Sequence, residues 1–217
     1  AAVGTLVLAG CAANEQTAEP TSGGATSETA VVETLSGTLN GSGASSMAAG
    51  QEAWIAAFQI ANPGVTVNYD PTGSGTGRAQ FFEGATSFTG SDSYFKDEEL
   101  AGEFPSCVPG TLPWEFPIWI SPIAVIFNLD GISSLNMEGP TVAGIFAGKI
   151  TMWNDAAIAA ANPGVTLPEL SITAVHRSDE SGTSKNFTDY LAAVAPDVWT
   201  VGAIEAWPAE YGGEGAQ

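Results

Sequence analysis

Three runs of Gly, Ser and Thr, residues 41–46, 73–77 and 181–184, each precede a pattern that reads as a helix, and apolar stretches that read as strands lead into them. This strand, small-residue loop, helix rhythm constrains the fold more than any other feature. Strands that alternate with helices build an α/β fold with largely parallel sheets. The loops carry the chemistry. The first turn of a helix leaves backbone N–H groups without partners and bears a partial positive charge, so a small tetrahedral anion fits there. Glycines let its oxygens approach the backbone, and Ser or Thr hydroxyls rotate to donate to it. Any one run is equally an ordinary set of capping and turn residues; together the three look like one anion site.

Read along the chain, residues 35–39 form a strand and 47–61 a helix, with Trp54, Ile55 and Phe58 on one face. Asn62-Pro63-Gly64 stops that helix. A strand over 65–69, a helix over 78–83, a short strand over 88–92 and a brief helix over 97–101 follow. Residues 113–128 are long, apolar and rich in β-branched and aromatic side chains, interrupted by Pro117 and Pro122. They read as buried strand and as the crossing between a first lobe, 35–115, and a second, 116–217. The second lobe is expected to hold helices over 141–147, 155–161 and 185–194 and a strand over 172–176. The final residues, 211–217, offer no closing element. Ala61-Asn-Pro-Gly-Val-Thr66 recurs as Ala161-Asn-Pro-Gly-Val-Thr166. It reads either as a duplicated lobe or as one helix-stop solution reached twice.

At the other end, residues 3–9 are apolar and run into Leu8-Ala9-Gly10-Cys11, the pattern of a bacterial lipobox. Resemblance to bacterial lipoproteins implies cleavage before Cys11 and lipidation of its sulfur, so residues 1–11 read as part of a signal peptide. Residues 12–34 lack large apolar side chains and read as a flexible tether. Cys107 then has no partner in the chain, and is either free and buried or paired outside it. Only five Lys and Arg oppose 24 carboxylates, a formal charge of −19. Nucleic acid is thereby disfavoured as a partner, since phosphate backbones are bound by basic patches. Enzymatic signatures are missing as well. The chain has no Gly-x-Ser-x-Gly elbow, residues 73–77 lack the Lys of a P-loop, and His176 is the single histidine, too few for a metal cluster.

Near the third run, Arg177 offers a planar fork of donors suited to an oxyanion, and Asp179 could clamp that fork from behind. A surface salt bridge beside a helix cap is the alternative. At this point four motifs in order, Leu39-Asn-Gly-Ser-Gly-Ala-Ser45, Tyr69-Asp-Pro-Thr-Gly-Ser-Gly-Thr-Gly77, Phe88-Thr-Gly-Ser-Asp92 and Arg177-Ser-Asp-Glu-Ser-Gly-Thr183, resemble the extracytoplasmic phosphate-binding protein of ABC-type phosphate transporters. Residues 144–154 are also similar to that family.

The resemblance implies a periodic outcome for fold and function alike: a periplasmic-binding-protein-like (type II) α/β fold, two lobes with a ligand cleft between them, here incomplete at its C-terminus. It implies that Ser45, Ser46 and Ser74 of the first lobe and Arg177, Ser181, Gly182 and Thr183 of the second donate to phosphate, with Asp179 behind Arg177. Asp92 is the acceptor among donors. Hydrogen phosphate can donate its proton to that carboxylate, whereas sulfate meets it as a like charge. The family usually has Thr-Phe-Pro where this chain has Ser45-Ser46-Met47, which keeps a hydroxyl but reduces the apolar wall. The implied protein is a monomeric, lipid-anchored binder at the outer face of the cytoplasmic membrane, without cofactor or metal, that hands phosphate to an ABC permease. A binder of sulfate or molybdate, or a phosphate-releasing hydrolase, is the alternative.

Overall fold

The computed structural model describes residues 34–216, so Cys11, the lipobox and all but the last residue of the expected tether lie outside the described residues. Strand β1 (Gly37–Gly43) is the middle of a three-stranded parallel sheet, flanked by β2 (Val65–Asp70) and β3 (Phe88–Gly90). Its register pairs Gly37 with Val65 on one side and Gly41 with Phe88 on the other. A 3-10 turn over Ser45–Met47 leads into α1 (Ala48–Ala61), which returns the chain to β2; α2 (Ser74–Phe82) returns it from β2 to β3. Two strand-helix-strand crossovers therefore build this half, as the alternation requires. A short helix, α3 (Asp97–Leu100), follows, and Phe81, Phe95 and Phe104 close an aromatic core beneath α2.

In the second half, α4 (Gly139–Phe146) carries Pro140 in its first turn, where proline's missing N–H costs nothing. Asp155 caps α5 (Ala156–Ala161) by accepting from the Ala157 N–H at 2.8 Å. Strand β4 (Val175–Arg177) leads through a polar loop to α6 (Gly182–Val194), and β5 (Glu214–Ala216) pairs parallel with β4. Val142, Ala143, Leu191 and the fully buried Trp199 form the core between α4 and α6.

Several expectations shift. Helices α2 and α6 begin at Ser74 and Gly182, inside the Gly/Ser/Thr runs and not after them. Weak intrinsic helix propensity there is overridden by packing. Trp54 and Phe58 are each 41% exposed, so the α1 face they were expected to bury is only partly covered among the described residues. The strand expected over 172–176 is β4, displaced toward Arg177. Residues 211–217 do hold an element: β5 is exposed and built from Glu, Gly and Ala, so it is held by main-chain pairing with no apolar signal to reveal it.

The largest correction concerns residues 113–128. They were expected to form a buried strand but have no regular secondary structure, with Trp114 84% and Ile120 95% exposed. Pro117 and Pro122 remove two ladder donors, and no described strand pairs with this segment. The repeated hexapeptide behaves as a helix stop in both places. Asn62 Nδ2 donates to the Phe58 carbonyl at 3.0 Å and Asn162 Nδ2 to the Ile158 carbonyl at 2.8 Å. The Val65 and Val165 N–H groups then turn back onto the Asn62 and Asn162 carbonyls.

Candidate functional site

Asp92 is the centre of the site because four segments converge on it. Strand β3 ends at Gly90, and the turn after it presents the carboxylate to hydroxyls from both halves. Its Oδ1 accepts from Ser46 Oγ at 2.6 Å and its Oδ2 from Thr183 Oγ1 at 2.9 Å. The main chain is fixed as well: the Asp92 N–H donates to Ser74 Oγ at 3.1 Å, and its carbonyl accepts from Asn186 Nδ2 at 2.8 Å. Hydrogen bonds to an ionised group are each worth about 1.5–3 kcal/mol, so this carboxylate is held firmly.

The starts of α2 and α6 abut beside it. The Gly75 N–H donates to the Glu180 carbonyl at 3.0 Å, joining the first turn of α2 to the loop that opens α6. Gly182 is required at that junction: a Cβ there would stand 2.6 Å from Ser74 Oγ and 2.8 Å from Asp92 Cβ. Ser181 caps α6, its Oγ accepting from the Ser184 N–H at 3.3 Å. Ser46, Ser74, Asp92, Gly182 and Thr183 are thus gathered at one point. Ser45 and Ser181 adjoin it through the chain, Ser45 half-buried in the turn before α1 and Ser181 buried. The cleft that opens here is lined by Ser46, Gln51, Asp92 and Thr183, and by residues of the apolar segment such as Trp119.

Arg177 stands apart. Its Nε and Nη2 grip both oxygens of Asp179, at 2.8 and 2.5 Å, which is the clamp expected from the sequence. The pair lines a different hollow, with His176, Ser178 and Trp207, and not the cleft that holds Asp92. It is still tied to the site indirectly. Gly73, at φ 96° before α2, lies so close to the Asp179 carboxylate that no side chain fits between them.

Two buried charges escaped the sequence reading. Arg78 on α2 is 2% exposed, and its Nη2 donates to Glu205 Oε2 at 2.7 Å. Its Nη1 reaches Ser91 Oγ at 3.1 Å and Ser93 Oγ at 2.7 Å, the residues on either side of Asp92. Burial pushes the Glu205 carboxyl up, but hydrogen bonds from Arg78 and Ser93 and the charges of Arg78 and Lys96 outweigh it and hold the group below its ordinary value. The Arg78 guanidinium is disfavoured by burial and more than compensated by Glu205 and Glu99. No local spacing announces a partner 127 residues away. Tyr69 completes the surroundings: its hydroxyl donates to the Ala44 carbonyl at 2.9 Å and is pushed up to about 12 by burial, then by the Asp92 charge.

Parallel α/β units whose strand ends and helix starts meet at a cleft define a class of ligand-binding protein. The chain belongs to the PBP superfamily, whose domain matches residues 24–217. Phosphate-binding protein PstS3 of Mycobacterium bovis (strain BCG / Pasteur 1173P2) is 41% identical over 219 residues, covering all of this chain and 58% of that protein. Phosphate-binding protein PstS of Xylella fastidiosa is 37% identical over 212 residues, covering 93% of this chain and 54% of that protein. The crystal structure of an ABC-type phosphate transport receptor from Vibrio cholerae matches in fold, with a TM-score of 0.50 and 18% identity, over 72% of this chain and 56% of that one. The chain spans under three fifths of the length of each of these proteins.

Proposed function

We propose that the protein binds inorganic phosphate outside the cell and delivers it to an ABC-type phosphate permease, as a binder and not an enzyme. The observation that carries this reading is Asp92, a carboxylate set among donors and contacted by hydroxyls from Ser46 and Thr183. A pure nest of donors would suit any oxyanion. A carboxylate within it favours one that still carries a proton, because that proton can be given to Oδ1 or Oδ2 while a fully ionised anion is repelled. The Ser46 and Thr183 hydroxyls can rotate from the carboxylate onto the ligand's oxygens. The names of the PstS relatives support phosphate in particular.

In this reading Ser45, Ser46, Ser74, Ser181, Gly182 and Thr183 donate to phosphate. Arg177, held by Asp179, joins them when residues 35–115 and 116–217 close as lobes about a hinge near 112–123. Cys11 bears the lipid that keeps the protein at the outer face of the membrane, and the protein acts as a monomer. Isothermal titration of the delipidated full-length protein with phosphate and with sulfate tests the reading. Phosphate is expected to bind and sulfate to bind far more weakly, with Asp92→Asn narrowing the gap. Tight sulfate binding, or an unchanged preference in Asp92→Asn, would overturn it. Mass spectrometry of the membrane-extracted protein tests acylation at Cys11.

A further inference from the structure

Glu205 touches both sides of the site without facing the cleft. Its carboxylate accepts from Arg78 Nη2 and, at 2.6 Å, from Ser93 Oγ, while its backbone carbonyl accepts from the Ser181 N–H at 3.3 Å. Ser91 and Ser93 bracket Asp92, and the same Arg78 nitrogen donates to both of their hydroxyls. The preceding residue, Ile204, is anchored to α6 by a two-way bond with the Thr188 hydroxyl. One residue thus holds the Asp92 turn through its side chain and the start of α6 through its main chain.

We propose that Arg78 and Glu205 are a positioning pair that sets the spacing between the Asp92 carboxylate and the donors at the start of α6, and thereby the anion preference of the site. The consequence for phosphate rests on the reading given under Proposed function; the positioning itself does not. The pair is well suited to the task because it is buried. Arg78 and Glu205 are 2% and 8% exposed, so their attraction is little screened by salt and their geometry is fixed from several directions. Lys96, at 3.9 Å and half-exposed, adds charge to Glu205 without fixing an angle, and Glu99 meets Arg78 at the longer distance of 3.4 Å.

The test uses Glu205→Gln and, in case that variant folds poorly, the double variant Arg78→Met/Glu205→Met, which replaces the pair by apolar groups of similar size and need not lose stability. Hydrogen exchange without ligand is read over residues 90–94 and 181–184. Exchange is expected to quicken in both segments together by about tenfold, as befits partners in one network. In parallel, phosphate and sulfate are titrated, and the ratio of the two affinities is expected to fall by about tenfold while Glu99→Gln leaves it in place. Unchanged exchange in either segment of a folded variant, or a lowered melting temperature with both the exchange and the affinity ratio intact, would overturn the positioning role. Failure of the parent protein to bind phosphate, with both segments still loosening in the variants, would count against the phosphate reading and in favour of the pair.

Discussion

Arg78 and Arg177 are both arginines clamped by a carboxylate, and they differ in nearly everything else. Arg177 takes its partner from two residues along the chain, is 25% exposed and leaves the Asp92 cleft to other groups. Arg78 takes its partner from 127 residues away, is 2% exposed and grips both neighbours of Asp92. A local pair holds one side chain in shape. A distant buried pair holds two parts of the molecule in register, and its loss leaves an uncompensated charge in a poor solvent for it.

That contrast breaks most visibly in stability. Glu205→Ala is expected to cost about 3–5 kcal/mol, read as a lower denaturation midpoint, because the buried Arg78 cation loses its counter-charge. If the loss is under 1 kcal/mol, burial is not what separates the two pairs. Acid sharpens the same point. The Glu205 carboxyl lies below its ordinary value of 4.5 in the folded chain, so its contribution is present above that pH and disappears as pH falls through the lowered value. Melting curves from pH 6 to pH 3 are expected to fall more gently in Glu205→Gln than in the parent. Asp179→Ala is expected to cost at most about 1 kcal/mol in stability, and to weaken phosphate binding by more than it weakens the fold. The smallest effect is that of salt. Raising ionic strength is expected to erode the Asp179 contribution by a few tenths of a kcal/mol, measured by comparing parent and variant midpoints, and to leave that of Glu205 almost untouched.

The same difference in range explains what the sequence made legible. Asn62, Asp155 and Ser181 end or begin helices through bonds to residues two to four positions away, and each element they punctuate was readable. Asp92, Thr183 and the Arg177–Asp179 clamp were legible because their motifs are contiguous. Arg78 and Glu205 were not, since nothing near either residue signals the other. Residues 113–128 failed for a related reason: apolar, β-branched composition states a preference for burial but supplies no neighbour to satisfy it. Strand β5 is the converse, a pairing made by backbone alone in a stretch whose side chains say nothing. Helices α2 and α6 began early because Gly75 and Gly182 pack where no Cβ fits, a tertiary fact invisible to propensity.

The hexapeptide that occurs twice has a use outside this molecule. After Ala61 it feeds a six-residue strand; after Ala161 it feeds irregular chain, with Gly164 at φ 89°. The termination is the same and the onward direction is not. Ala-Asn-Pro-Gly-Val-Thr is therefore a portable full stop for a protein engineer, one that can be spliced after a helix without dictating the element that comes next.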